Sequence, residues 1–202
     1  MARPTAPDHD DKAAAVLAAA GQVFAQRGYE GATMLDVAQA AGFSKAGVYH
    51  YFASKEHLLH GLLLGSLQEV EYDLTAADPL DAVKPAERLG ALVEAYVRSF
   101  STRLRVVTPL LLRLDLLRPE WRSEVKALER RIVDRFADAA GAIGHQLSPR
   151  AAAFLVLGAA NWTYYWYDPD GDLSIEDLAR GAAAIFTGAP APADAQSISM
   201  GR

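Results

Sequence analysis

Apolar residues recur along the chain at intervals of three and four, and nowhere do they alternate with polar ones. Between Asp8 and Arg27 they fall at positions 13, 16, 17, 20, 23 and 24, one face of a helix that Gly28 ends. Thr33 and Asp36 have the spacing of a capping box opening a short second helix. Gly42 closes that helix, because a residue without a Cβ enters left-handed backbone freely. Ser44 caps a third helix of barely two turns, Lys45 to Tyr51, and Ser54 caps a fourth that nothing breaks before about Ala77. After a loop from Asp78 to Lys84 come helices from Pro85 to Ser101, Val106 to Leu117 with Pro109 inside, and Pro119 to about Ile143. Ser148 with Pro149 starts another to Tyr167, Asp168-Pro169-Asp170-Gly171 makes a turn, and a last helix behind Ser174 ends near Gly188. About nine helices, with no strand pattern and no repeat, predict an all-α chain. The pattern divides it into a head at 8–54 and a helical body at 55–188, with disordered tails at 1–7 and 189–202.

Composition narrows the function. A chain of 202 residues, 51% hydrophobic, is long enough to bury a real core. No apolar run approaches the length of a membrane span and the first residues lack an apolar signal core, so a cytoplasmic protein without a membrane partner is expected. The absence of cysteine excludes disulfides, thiolate zinc sites and a cysteine nucleophile. His57, His60 and His145 come with no nucleophile, and only the first two have a spacing that could hold a metal, weakly; no catalytic residue, metal or cofactor is expected. The net charge of −5 argues against a generally basic nucleic-acid binder. Residues 1–60 carry five Lys/Arg (3, 12, 27, 45, 55) against six Asp/Glu (8, 10, 11, 30, 36, 56), so any DNA contact must come from a local surface.

Such a surface is present between Thr33 and Leu59. Helix, glycine-containing turn, helix is the form of a helix-turn-helix, whose second helix enters the DNA major groove. Val37, Ala38, Ala41, Phe43, Val48 and Phe52 face a core, continued by Leu58 and Leu59. Thr33 and Ser44 then stand at helix N-termini, where phosphate is favoured, while Lys45, Tyr49, His50 and Lys55 supply donors. Ala46 and Gly47 are small enough for close approach to base edges. Taken singly, each of these is better read as an ordinary cap or surface residue; the constellation is what points to DNA.

The segment A-A-G-F-S-K-A-G-V-Y-H-Y-F-A-S-K-E, inside a longer match from Ala15 to Leu63, resembles the TetR-type transcriptional regulators. The resemblance implies a three-helix DNA-binding head, a helical ligand-binding body and a homodimer on palindromic double-stranded operator DNA. By position, Thr33, Ser44, Lys45, Gly47, Tyr49, His50 and Lys55 fall on the family's DNA-contacting slots. Two positions depart from the pattern. Gly47 has no side chain where many members carry a polar base reader, and Leu35 is apolar at a usually polar, exposed slot.

The body holds two further features. Gly158, Trp162, Tyr165 and Trp166 lie near one side of their helix, either as a dimer or core stripe or as rings lining an effector cavity, and opposite faces could serve both. From Arg98 to Arg135 run ten positive charges (Arg98, Arg103, Arg105, Arg113, Arg118, Arg122, Lys126, Arg130, Arg131, Arg135) against five acids (115, 120, 124, 129, 134). They fit solvated helix faces with i,i+4 pairs such as Asp134 with Arg130, or a basic mouth over an apolar cavity, suited to a ligand with phosphates and an apolar tail. Asn161 to Leu178 is similar to TetR-type regulators of fatty-acid and sterol breakdown, which respond to acyl-CoA thioesters. The candidate effector contacts are Tyr96, Phe100, Arg113, Leu116, Trp121, Trp162, Tyr165 and Trp166. The expected function is a dimeric repressor released by a small hydrophobic effector, with an acyl-CoA thioester as one candidate. An activator of the same family, or a repressor of an efflux gene responding to drugs or aromatic compounds, is the alternative.

Overall fold

The computed structural model describes residues 6–78, 84–99, 104–144 and 147–188, with the side chains of 6–8 and 104–105 left aside. The expected loop at 79–83, Phe100 and the 189–202 tail lie outside these residues. Among the described residues there are nine α-helices and no strand: α1 Ala6–Gly31, α2 Met34–Ala41, α3 Lys45–Tyr51, α4 Lys55–Ala77, α5 Pro85–Arg98, α6 Leu104–Leu111, α7 Pro119–Gly141, α8 Pro149–Trp166 and α9 Ile175–Thr187.

The local chemistry accounts for most of these ends. Gly28, at φ 70° and ψ 161°, breaks the helical ladder inside α1, in a backbone region closed to side chains. Thr33 and Asp36 form the full capping box of α2, and Gly42, at φ 70°, is its left-handed C-cap. Ser44, Ser148 and Ser174 each accept a backbone N–H three residues on. Two predicted helices are shorter than their apolar patterns. α5 ends at Arg98, with Ser99 as cap. α6 stops at Leu111; Pro109 has no N–H to give the ladder, and the chain tightens into a 3₁₀ turn at Leu114–Leu116 before Pro119 restarts it.

Contacts divide the chain into two units, Met1–Ser66 with Val106–Val125, and Leu67–Arg105 with Lys126–Arg202. In the first, α1 packs on α2 and α2 on α3. Val16, Ala20, Phe24, Val37, Val48, Leu58, Leu59 and Leu63 form its core. Ala41 and Phe43, expected in that core, are half-buried. Gly61 of α4, which weakens a helix by propensity, lies at a close packing contact here. A Cβ on it would stand 3.1 Å from Leu17 and 3.2 Å from Phe52.

The second unit is built on α5 packed against α9 and α8, with Leu89, Leu92, Val93, Val97, Phe136 and Ala183 inside. Its polar anchor is Asp78, whose carboxylate is 1% exposed. Arg88 donates to it from Nε at 2.7 Å and Nη2 at 3.0 Å, and Arg135 from Nη1 at 3.0 Å. The Arg88 hydrogen bonds, with Arg135 behind them, outweigh burial and hold the Asp78 carboxyl below its ordinary pKa. A depressed carboxyl gives stability that is present above its unfolded pKa and lost as pH falls through the folded one. Replacing Asp78 by Asn strands two guanidinium groups and should cost about 3 kcal/mol in urea melts at pH 7. The gap to wild type should close in acid, and a pH-independent gap would count against this reading of the ion pair.

Candidate functional site

The head presents α3 as a short, exposed helix on a buried seam. Val48 is its buried residue, while Ser44, Lys45, Ala46, Tyr49 and His50 face solvent, Tyr49 at 45% exposure. Lys45 Nζ lies 5.9 Å from the centroid of the Tyr49 ring, so a cation and a phenol share one side of the helix. Ser44 Oγ accepts the Gly47 N–H at 3.0 Å. A Cβ at Gly47 would sit 3.2 Å from that same Oγ and 3.5 Å from Phe43, so the glycine lies close under the cap and offers no side chain to a base. Thr33 is exposed, and its hydroxyl both accepts from the Asp36 N–H and donates to Asp36 Oδ2 at 2.7 Å. Asp36 also accepts from Arg27. Hydrogen bonds from Thr33, then the Arg27 charge, hold its carboxyl low despite some desolvation. Leu35, at 49% exposure, is an apolar side chain on the open surface of α2.

The sequence pattern gave no signal for His9. Its ring lies 4.8 Å from that of Tyr51 and 6.2 Å from that of His50, so the first turn of α1 flanks the end of α3.

Lys55 is placed differently from the other six positions. Its ammonium donates to the carbonyls of Tyr29 at 2.7 Å, Ala32 at 3.0 Å and Glu30 at 3.2 Å. The neighbouring Glu56 takes the backbone N–H of Arg118 at 2.6 Å and its guanidinium at 3.1 and 3.3 Å. The Arg118 bonds keep the Glu56 carboxyl low against its desolvation.

The candidate effector residues are divided between the two units. Trp121 is packed against α4 within the first unit, its ring 4.7 Å from His60 and 5.2 Å from His57, with the Arg118 guanidinium 3.7 Å from its centroid. His60 Nε2 in turn lies 2.8 Å from Glu124. Leu116 is half-buried, and Arg113 is exposed between Glu30 and Asp115. In the second unit Tyr96 is buried, its hydroxyl donating to Asn161 Oδ1 at 2.9 Å and its ring 5.6 Å from Phe136. Burial pushes its phenol well above the ordinary value, so it stays a donor. Trp162, Tyr165 and Trp166 lie on the outer side of α8, at 62, 63 and 51% exposure, with Phe154 and Leu155. The inner side is Ala152, Ala153, Val156, Leu157, Ala160 and Thr163.

The arginines are largely committed to partners. Arg98 holds Glu94, Arg118 holds Glu56, Arg131 holds Glu71 and Arg135 holds Asp78. Arg122 donates to the carbonyls of Asp115 and Leu117. Asp134 pairs with Arg150 of α8 and not with Arg130, because the link to a second helix replaces the i,i+4 pair. Among the described residues no group of three or more His, Cys, Asp or Glu could hold a metal ion, and no helix is long and apolar enough to cross a membrane.

An all-α chain whose head carries a capped α2, a left-handed glycine turn and an exposed α3 is a helix-turn-helix DNA-binding protein. It belongs to the TetR family of transcriptional regulators, which are not enzymes: residues 16–62 match the family model described as bacterial regulatory proteins, tetR family, and residues 82–189 the one for the tetracyclin repressor-like C-terminal domain. An uncharacterized HTH-type regulator of Bacillus subtilis, YfiR, is 32% identical over 145 residues, 68% of each chain. The repressor KstR2 of Rhodococcus jostii is 34% identical over 94 residues, 44% of this chain and 46% of that one. The crystal structure of AibR in complex with isovaleryl coenzyme A and operator DNA matches with a TM-score of 0.75 at 28% identity, covering 86% of this chain and 97% of that one.

One half-buried carboxylate of α7 is shifted by desolvation. Glu129 of α7 is partly buried and its carboxylate takes no hydrogen bond from any described residue. Desolvation raises its pKa, opposed by Lys126 and Arg130. A raised carboxyl destabilises the fold increasingly as pH rises from its unfolded pKa of about 4.3 to its folded one, fully so above that, and costs nothing well below both. Glu129→Gln should therefore raise Tm at pH 7 and leave it unchanged near pH 4. Parallel Tm profiles for the two proteins across that range would contradict the assignment.

Proposed function

We propose that this protein is a ligand-responsive repressor that binds palindromic operator DNA as a homodimer and is released by a small hydrophobic effector, an acyl-CoA thioester in the first instance. The observation that carries the DNA reading is the outer face of α3, where Lys45, Tyr49 and His50 stand exposed on a rigidly capped helix with Ser44 and Thr33 beside them. Lys45 and the Ser44 hydroxyl anchor to phosphates, and Tyr49 and His50 reach for base edges. The dimer reading rests on α8. A solvent-facing strip of Phe154, Leu155, Trp162, Tyr165 and Trp166 is the kind of apolar patch that marks an association surface. In the dimer the two α3 helices would enter successive major grooves about 34–36 Å apart. The KstR2 relative, a repressor, supports the sign of regulation.

The effector class is supported by the Asn161–Leu178 resemblance and by AibR, which was solved with isovaleryl coenzyme A. The ion pairs of Arg118, Arg131 and Arg135 favour a second reading, an uncharged aromatic effector, since a phosphate must first displace a carboxylate from them. Binding in the body favours a state in which the head spacing no longer fits the operator, with a coupling of about 1–3 kcal/mol.

A gel shift on DNA upstream of its own gene tests both parts. Tyr49→Ala and Lys45→Ala should abolish the shift while circular dichroism stays native. Saturating isovaleryl-CoA or longer acyl-CoAs should weaken binding roughly 5- to 150-fold. Retained binding across the acyl-CoAs, with release by an aromatic compound, would transfer the proposal to the second effector class. Few formal charges meet the DNA, so the dependence of affinity on salt should be shallow. A steep one would bring in cations beyond Lys45, with Arg3 and Lys12 first, and Arg27 only after release from Asp36. Trp162→Glu should give monomers in sedimentation; an intact dimer would move the interface elsewhere.

A further inference from the structure

Three rings meet where α3 ends. The ring of His9 lies 4.8 Å from that of Tyr51 and 6.2 Å from that of His50, and those two stand 5.2 Å apart. His50 meets both of the others edge-on, at 71° and 84°. Tyr51 carries the cluster on to Phe43, in the turn before α3, at 6.2 Å and 89°. Tyr51 and Phe43 are half-buried, so the cluster is rooted in the head, while His9 and His50 stand at its open side. Of these four rings only that of His9 comes from another helix.

His50 is one of the two side chains read above as reaching for base edges, and it lies in the last turn of a helix of seven residues. An exposed imidazole left to itself moves among rotamers, and DNA must arrest it. Immobilising one such side chain at an interface costs about 2- to 12-fold in affinity. Edge-on contacts remove part of that cost beforehand, because the charge distribution of aromatic rings favours such angles. Local charge separates this role from phosphate binding. Asp10 Oδ1 stands 3.5 Å from His9 Nδ1, and Asp8, Asp10 and Asp11 surround the histidine in sequence. A carboxylate at that distance disfavours a phosphate beside the same imidazole.

We propose that His9 is a positioning residue of the DNA-binding surface, its ring holding the His50 imidazole in the orientation that reads the operator. This rests on the DNA-binding reading above. The first turn of α1 thereby belongs to the reading head, and what it supplies is a ring and not a charge.

The test uses the full chain and a duplex that it selects from a random library, at low salt so that weak complexes stay measurable. His9→Ala, folded by circular dichroism, should bind that duplex roughly three- to tenfold more weakly. It should also lose discrimination among bases at the same position as His50→Ala. In the His50→Ala background the further loss should be less than twofold, because the group that His9 positions is gone. His9→Phe keeps a ring without nitrogens and should restore most of what alanine loses. A Phe variant as weak as the Ala variant would overturn the proposal and make a ring nitrogen the active group. Additive losses in the double variant, the mark of a general structural effect, would overturn it too, as would an Ala variant that binds and discriminates as wild type does. In the unaltered protein, nuclear Overhauser contacts between the His9 and Tyr51 rings are expected, and their absence would sink the proposal without any variant. Selection of no duplex would remove the DNA-binding reading itself, a different failure that shows before any variant is made.

Discussion

Opposite charges at adjacent positions of α4 hold opposite kinds of helix end. The ammonium of Lys55 gathers carbonyls where α1 breaks, and the carboxylate of Glu56 receives the Arg118 N–H where α7 begins. Each charge sits at the helix end whose dipole it complements, and each satisfies backbone groups that no helix can pair internally. The turn that carries them is thereby joined to the α1–α2 corner on one hand and to the start of α7 on the other. Farther along the same helix, His57 and His60 lie against Trp121, and His60 reaches Glu124. Three successive contacts at helical spacing make this part of the first unit a single stiff joint, with Ser54 capping it from below.

That arrangement changes the meaning of charge in the molecule. Counting lysines and arginines suggests cations available to phosphate, but the described head spends Arg27 on Asp36 and Lys55 on carbonyls. The body does the same with Arg118, Arg131 and Arg135. Guanidinium groups suit this work because their planar fork meets both oxygens of a carboxylate, as Arg88 does with Asp78. Charges used this way tie helices to one another, and in the reading proposed above recognition falls to Lys45, Tyr49 and His50 of α3 with the Ser44 hydroxyl at its cap.

Much of the architecture was legible because it depends on local chemistry. The capping box at Thr33 and Asp36, the left-handed Gly42 and the serine caps act over three or four residues, and each appears where the spacing predicts. The family signature is legible for the same reason, since the head is nearly all local structure. What escaped was set by contacts distant in sequence. Nothing around Lys55 announces carbonyls 23–26 residues earlier, and nothing around Asp134 selects Arg150 over Arg130. On α8 the pattern gave a stripe without saying which way it faced; the small residues Ala152, Ala153 and Ala160 turned inward, leaving the rings outside.

The outward strip of aromatic rings on α8 also bears on how sharply the protein would respond to its own abundance. In the dimer proposed here, two copies must meet before either can read a two-fold site. At low copy number the amount of competent protein then grows with the square of the amount synthesised. Operator occupancy would rise more steeply with expression than for a monomer of equal affinity, and small changes in synthesis or turnover would be amplified at the promoter with no change in any contact to DNA.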